Sequence, residues 1–127
     1  MYPENLDAKE ELKQIILNFF GKHFYIPRFD VPMKKLFPEP QNEVLKGFWL
    51  KKSHADIPVF SQKTRKLVAV FETGGTQHLR EKQRNRDTAK AELCELNNIG
   101  FRGTLNWEWR KSSKRKLRNW IRKALYS

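Results

Sequence analysis

The chain has 127 residues, a net charge of +12 and 39% hydrophobic residues, enough for one domain with a modest core and no run near the ~20 apolar residues of a membrane span. A single cysteine, Cys94, excludes an internal disulfide and fits a reducing compartment. The opening Met1-Tyr2-Pro3-Glu4 lacks the basic-then-apolar pattern of a secretory leader, so the expectation is a soluble intracellular protein, cytoplasmic (host cytoplasm for a viral chain), with no membrane role and a polyanionic partner.

Asp7 to Phe20 reads as a helix. Leu12, Ile15, Ile16, Phe19 and Phe20 recur at helical spacing on one face, Asp7 is placed as N-cap with Glu10 as its capping-box partner, and Gly21 stops it. His23 to Phe29 is aromatic and extended, a first strand ended by Pro27. Asp30 to Glu43 holds three of the six prolines, Pro32, Pro38 and Pro40, and reads as an irregular excursion that either folds over a substrate or covers a sheet edge. Val44 to Leu50 reads as a strand with alternation around Leu45, Phe48 and Leu50. Ala55 to Phe60 is a second short strand, whose Pro58 cannot donate to a ladder and so belongs at an edge, a bulge or a strand end. After a polar turn from Ser61 to Lys66, Leu67 to Phe71 is an apolar, β-branched run, hence a central strand buried on both faces. It pairs antiparallel with its predecessor, because a turn of this length suits a hairpin and not a crossover.

Leu79 to Asn97 reads as a second helix with Ala89, Leu93 and Leu96 as its buried stripe and Arg80, Lys82, Arg84 and Arg86 as a positive surface on its first half. Asn97-Asn98-Ile99-Gly100 is a stop signal, and Phe101 to Trp107 a last strand. A final helix, about 112–126 and capped by Ser112 or Ser113, has Leu117, Trp120, Ile121, Ala124 and Leu125 on one side and Lys114, Arg115, Arg118, Arg122 and Lys123 on the other. Residues 78–127 carry 14 Lys/Arg against 5 Asp/Glu, net +9, and no acid follows Arg110. That excess exceeds what solubility requires. This helix, with Arg80, Arg84, Arg86 and Lys90, is read as an electrostatic grip on nucleic acid. Antiparallel hairpin, helix crossover and strand together define an α/β fold (α+β in some schemes), a central mixed β-sheet flanked by helices in one domain over residues 1–127.

The central strand ends on an acid, Glu72, and the chain breaks at Gly74-Gly75. A charge at the end of a buried strand is costly unless something uses it, and the ends of central strands are where open sheets place ligand chemistry. Asp56 sits near the end of the strand that pairs with it. Two carboxylates a few ångströms apart repel unless a cation lies between them. Mg²⁺ (or Mn²⁺) accepts one or two carboxylates and leaves its other positions to water and phosphate, and a metal held this way can activate water and stabilise a phosphorane-like transition state. This is phosphodiesterase chemistry.

Asp56, then Glu72-Thr73-Gly74-Gly75-Thr76-Gln77-His78, then Arg86-Asp87-Thr88-Ala89-Lys90 resembles the Vsr-like branch of the PD-(D/E)XK nuclease superfamily. The resemblance covers about residues 5–107, and Asn98-Ile99-Gly100-Phe101 approximates the Gly-Ile-like turn and strand that follow the branch's helix. It implies a restriction-endonuclease-like core and a metal-dependent endonuclease acting on DNA, with Asp56 and Glu72 as metal ligands. It also implies His78 protonating the leaving oxygen or orienting water, Gln77 near phosphate, and Glu10 (or Glu11) helping to hold water near the metal. Asp87 and Lys90 lie on the second helix near the site. The superfamily's lysine, two residues after the acid, is Gly74 here, as is the branch's Asp.

Each feature also has a plainer reading. Glu10 and Glu11 serve as helix cap and surface charge, Gly74-Gly75 as a tight turn, and Arg86, Asp87 and Lys90 as i,i+3 and i,i+4 surface pairs. Trp107 and Trp109 either pack or stack on a base. His23 and His54 are structural, and Cys94 is inert core. The alternative function is a non-catalytic nucleic-acid-binding module on a nuclease-like fold. DNA is the expected partner and a homodimer an option, although no short motif separates DNA from RNA or monomer from dimer; a double-strand cut needs a second active site, so a small monomer would nick.

Overall fold

The computed structural model of the chain describes residues 4–21, 23–50, 54–72, 89–103 and 113–126. Its elements in order are α1 (Glu4–Phe20), β1 (Tyr25–Pro27), β2 (Val31–Pro32), α2 (Met33–Leu36), α3 (Glu43–Leu50), β3 (His54–Ala55), β4 (Ile57–Ser61) and β5 (Leu67–Glu72). A helix described over 89–96 (α4), then β6 (Gly100–Gly103) and α5 (Lys114–Leu125), complete it. Strands β1-β4-β5-β6 form one mixed sheet, antiparallel at β1/β4 and β4/β5 and parallel at β5/β6, beside a two-stranded β2/β3 ladder. The chain returns through α4 between the two parallel strands, as parallel pairing requires.

The period of two along β5 divides the core. Ala69 and Phe71 join Ile57 and Val59 against Leu12 and Ile16 of α1 and Leu117, Ile121, Ala124 and Leu125 of α5. Val70 belongs to the other layer, with Met33, Phe37, Leu45, Ala55, Leu93 and Cys94. Helices therefore cover both faces, and β5 is buried on both, as expected from its unbroken apolar run. At Gly100 the backbone of α5 comes so close to β6 that a Cβ built there would overlap the Ala124 carbonyl; only glycine lets the two elements meet. Among the described residues no helix is long and apolar enough to cross a membrane.

Several elements differ from expectation. Val44 to Leu50 is helical, not extended: the Asn42 side chain accepts from the backbone N–H groups of Val44 (2.9 Å) and Leu45 (3.1 Å), an N-cap that starts α3. Its apolar residues Leu45, Phe48 and Trp49 then recur at helical spacing and pack together in the second layer. Part of the excursion after Asp30 is regular, supplying β2 and α2. α1 begins at Glu4, so Asp7 lies within its first turn instead of capping it. Leu96 is 64% exposed, and the buried stripe of α4 runs through Lys90, Leu93 and Cys94.

Pro58 sits in an interior strand, one residue ahead of a register shift between Val59 and Phe60. Its carbonyl accepts from the Arg28 N–H (2.9 Å), just past the end of the β1 ladder at Pro27↔Val59. The missing N–H of a strand residue points to the same side as its carbonyl, so the bond given up is the return bond to the Arg28 carbonyl, and the assigned β1 ladder stops one residue short of it, at Pro27.

Candidate functional site

The register of the β4/β5 hairpin builds the site. Ile57 pairs with Phe71, so the residue before one and the residue after the other, Asp56 and Glu72, face each other at the open end of the hairpin. Glu72 is 2% exposed. Its Oε2 accepts the Asp56 backbone N–H at 2.8 Å. By alternation Glu72 shares the side of Val70, toward α4, and there its Oε1 accepts from Lys90 Nζ at 2.5 Å. Lys90 reaches it because it precedes Leu93 and Cys94 by three and four residues, on the helix face that packs into the core. Lys90, expected as a nucleic-acid contact and, from the resemblance, on the second helix near the site, is 7% exposed and engaged inside the molecule at Glu72.

Burial is the main force on the Glu72 carboxyl, and with the negative charge of Asp56 it pushes the group up to about 7; the Lys90 charge and hydrogen bond and the Asp56 N–H oppose the shift. The adjacent Cys94 thiol rises to about 12 by burial and by the Glu72 charge, with Lys90 acting against both. It is held as an uncharged core thiol.

The two acids that repel each other are oxygen donors of the type a hard divalent cation takes, and its charge would remove the Asp56–Glu72 repulsion. The donor set fits such an ion to that extent. Among the described residues no group of three or more His, Cys, Asp or Glu side chains is placed to hold a metal, so Glu10 is not brought in as a third acid. It is exposed on α1, where its Oε1 accepts from Gln14 at 3.2 Å.

His78, Gln77, Asp87, Gly74-Gly75, Arg80, Arg84, Arg86, Trp107 and Trp109 lie outside the described residues, as does the side chain of Lys114. Arg115, Arg118 and Arg122 are exposed on α5 beside Lys116 and Lys123. Ser113 caps this helix, its hydroxyl accepting from the Lys116 N–H (3.2 Å). The opposite side of α5 packs on the Phe71 face, with Trp120 against Phe71 at 5.7 Å between ring centroids. Among the described residues, the basic side of α5 and the Glu72–Lys90 pair therefore lie across the sheet from one another.

Sequence reasoning missed the Lys90–Glu72 contact. The signal was a lysine on the apolar stripe of a helix, which is rare without a buried partner. A scan against protein-family models and searches of curated proteins and of solved structures found no match to this chain.

Proposed function

We propose that the chain is a metal-dependent endonuclease that hydrolyses phosphodiester bonds in DNA, on a restriction-endonuclease-like core of the Vsr-like PD-(D/E)XK type. The observation that carries this reading is the buried Glu72 carboxylate at the end of β5, facing Asp56 across the hairpin and touching Lys90 from the crossover helix. The strand order and directions, with a helix between the parallel pair, agree with it. So does the source of the ammonium. The superfamily's lysine position is Gly74, yet an ammonium reaches Glu72 from Lys90 instead.

Asp56 and Glu72 are the residues to hold Mg²⁺ or Mn²⁺. When bound, the ion supplies Lewis-acid stabilisation of charge developing on the phosphate. Lys90 opposes the upward shift that burial imposes on the Glu72 carboxyl and fixes its rotamer. The Asp56 N–H fixes the second oxygen, so the acid needs no reorganisation before use. Nicking of supercoiled plasmid in Mg²⁺ is the direct assay. It is expected to stop on chelation and to fall by about 100-fold or more in both Glu72→Gln and Asp56→Asn. Nicking that survives both substitutions contradicts the reading.

One observation favours a second reading. Both Glu72 oxygens already have partners, which suits a nucleic-acid-binding module where Glu72 and Lys90 are a structural ion pair. That module binds DNA but gives no nicking under any divalent ion.

A further inference from the structure

The described residues also form a hollow at the other end of the sheet. About 550 Å³ in volume, it is lined by Phe19, Phe20, Phe24, Arg118, Arg122 and Tyr126, and a neighbouring hollow past Tyr126 reaches Asn119 and Lys123. Phe24 is 67% exposed and Tyr126 is 63% exposed. Neither is loose. The Phe24 backbone is tied at both ends, its N–H donating to the Gly21 carbonyl (3.2 Å) and its carbonyl accepting from the Gln62 N–H (2.9 Å). Gly21, at φ +87°, lies so near that an added Cβ would stand 3.2 Å from the Phe24 ring. Tyr126 leans on Phe20 and Tyr25, with ring centroids 6.2 and 6.4 Å away. Two solvent-facing rings thus flank two exposed guanidinium groups, and no acid is among the residues described as lining the hollow.

Rings held out to water beside arginines match a ligand with flat faces and negative charge. The apolar side of α5 is already used, Leu117, Ile121 and Leu125 being buried in the core, so this helix has no free apolar face to lay into a lipid surface. We propose that the hollow binds unpaired nucleotides of a nucleic-acid strand, with bases stacking on Phe24 and Tyr126 and phosphates meeting Arg118 and Arg122. The site is separate from the candidate metal centre. It lies beyond the Tyr25↔Ser61 pair, whereas Glu72 lies beyond Ile57↔Phe71, and β5 alone spans about 17 Å between those ends at roughly 3.3 Å per residue. The inference shares the nucleic-acid partner with the function proposed above and does not depend on hydrolysis.

Fluorescence anisotropy in excess chelator tests it without the metal chemistry. The probes are a labelled oligothymidine and an abasic strand of equal length and charge. The base-bearing strand is expected to bind about fivefold or more tightly than the abasic one, the lower end of stacking on one base. Phe24→Leu, at an exposed position outside the core, is expected to shrink that difference, with Tyr126 keeping its share, and to leave binding of the abasic strand unchanged. Arg118→Gln with Arg122→Gln is expected to weaken both strands and flatten the dependence of log affinity on log salt by about 1.4, or about 0.7 per phosphate. Equal binding of the two strands by the unmodified protein overturns the proposal, and so does a base preference that Phe24→Leu leaves unchanged. Competition by polyglutamate as strong as that by the oligothymidine also overturns it and leaves a general polyanion surface. Loss of plasmid nicking in Glu72→Gln with anisotropy unchanged separates this site from the metal centre.

Discussion

Glu72 is an acid kept almost out of water, and its environment dictates how it responds to pH. Its folded value of about 7 stands above the ordinary 4.5, so the folded chain binds the proton more tightly than the unfolded chain does. The stabilisation linked to that proton is complete below about 4.5 and is lost as pH rises through about 7. Urea unfolding of the metal-free protein should therefore show this contribution growing by about 1.4 kcal/mol per pH unit at most as pH falls across that window, and Glu72→Gln should remove it. Lys90→Met leaves the carboxylate without its ammonium. The expected cost is about 3–5 kcal/mol in mildly alkaline buffer and clearly less near pH 5, where protonation removes the uncompensated charge. Equal losses at both pH values contradict the buried ion pair. The acid was legible in the sequence because an apolar run ended on it. Its lysine partner was not, since nothing in one dimension says which helix residue lies over which strand end.

At the scale of elements, the hairpin, the crossover and the last helix could be read from turn signals and periodicity, whereas α3 could not. Leu45, Phe48 and Leu50 satisfy a loose alternation and a helical repeat almost equally, and the deciding residue is the Asn42 cap just before them. α4 ends the way its sequence announces. Asn98 adopts φ 58° and Ile99 N–H returns to the Cys94 carbonyl (2.8 Å), a Schellman-type stop. Two glycines give opposite expectations. Gly47 is exposed mid-helix in α3, with nothing within 4 Å of an added Cβ; Gly47→Ala should stabilise by about 0.5–1 kcal/mol, seen as a rise of roughly 2–5 °C in thermal melting. Gly100 has the Ala124 backbone where its Cβ would be. Gly100→Ala should cost about 2 kcal/mol or more by forcing α5 off β6, with a matching loss of urea midpoint. A neutral Gly100→Ala contradicts the close approach of those elements.

Among the described residues, the exposed arginines of α5 and the Glu72–Lys90 pair lie on opposite faces of one sheet. α5 turns Arg115, Arg118 and Arg122 outward from the Phe71 side, while Glu72 and Lys90 lie on the Val70 side. Composition announced the first and the β5 run announced the second, but their placement across the sheet follows only from the alternation of β5 and the path of α4. A strand held by the basic surface would have to pass around the sheet end to reach Glu72, so the proposed endonuclease stands or falls on what the acids do. The most direct measurement is calorimetric titration of Mn²⁺ into the purified chain at mildly alkaline pH. One ion per chain is expected, with uptake lost in Glu72→Gln and in Asp56→Asn and weakened as pH falls through about 7, where Glu72 takes up its proton. No uptake, or uptake that neither substitution alters, contradicts a metal centre at these two acids.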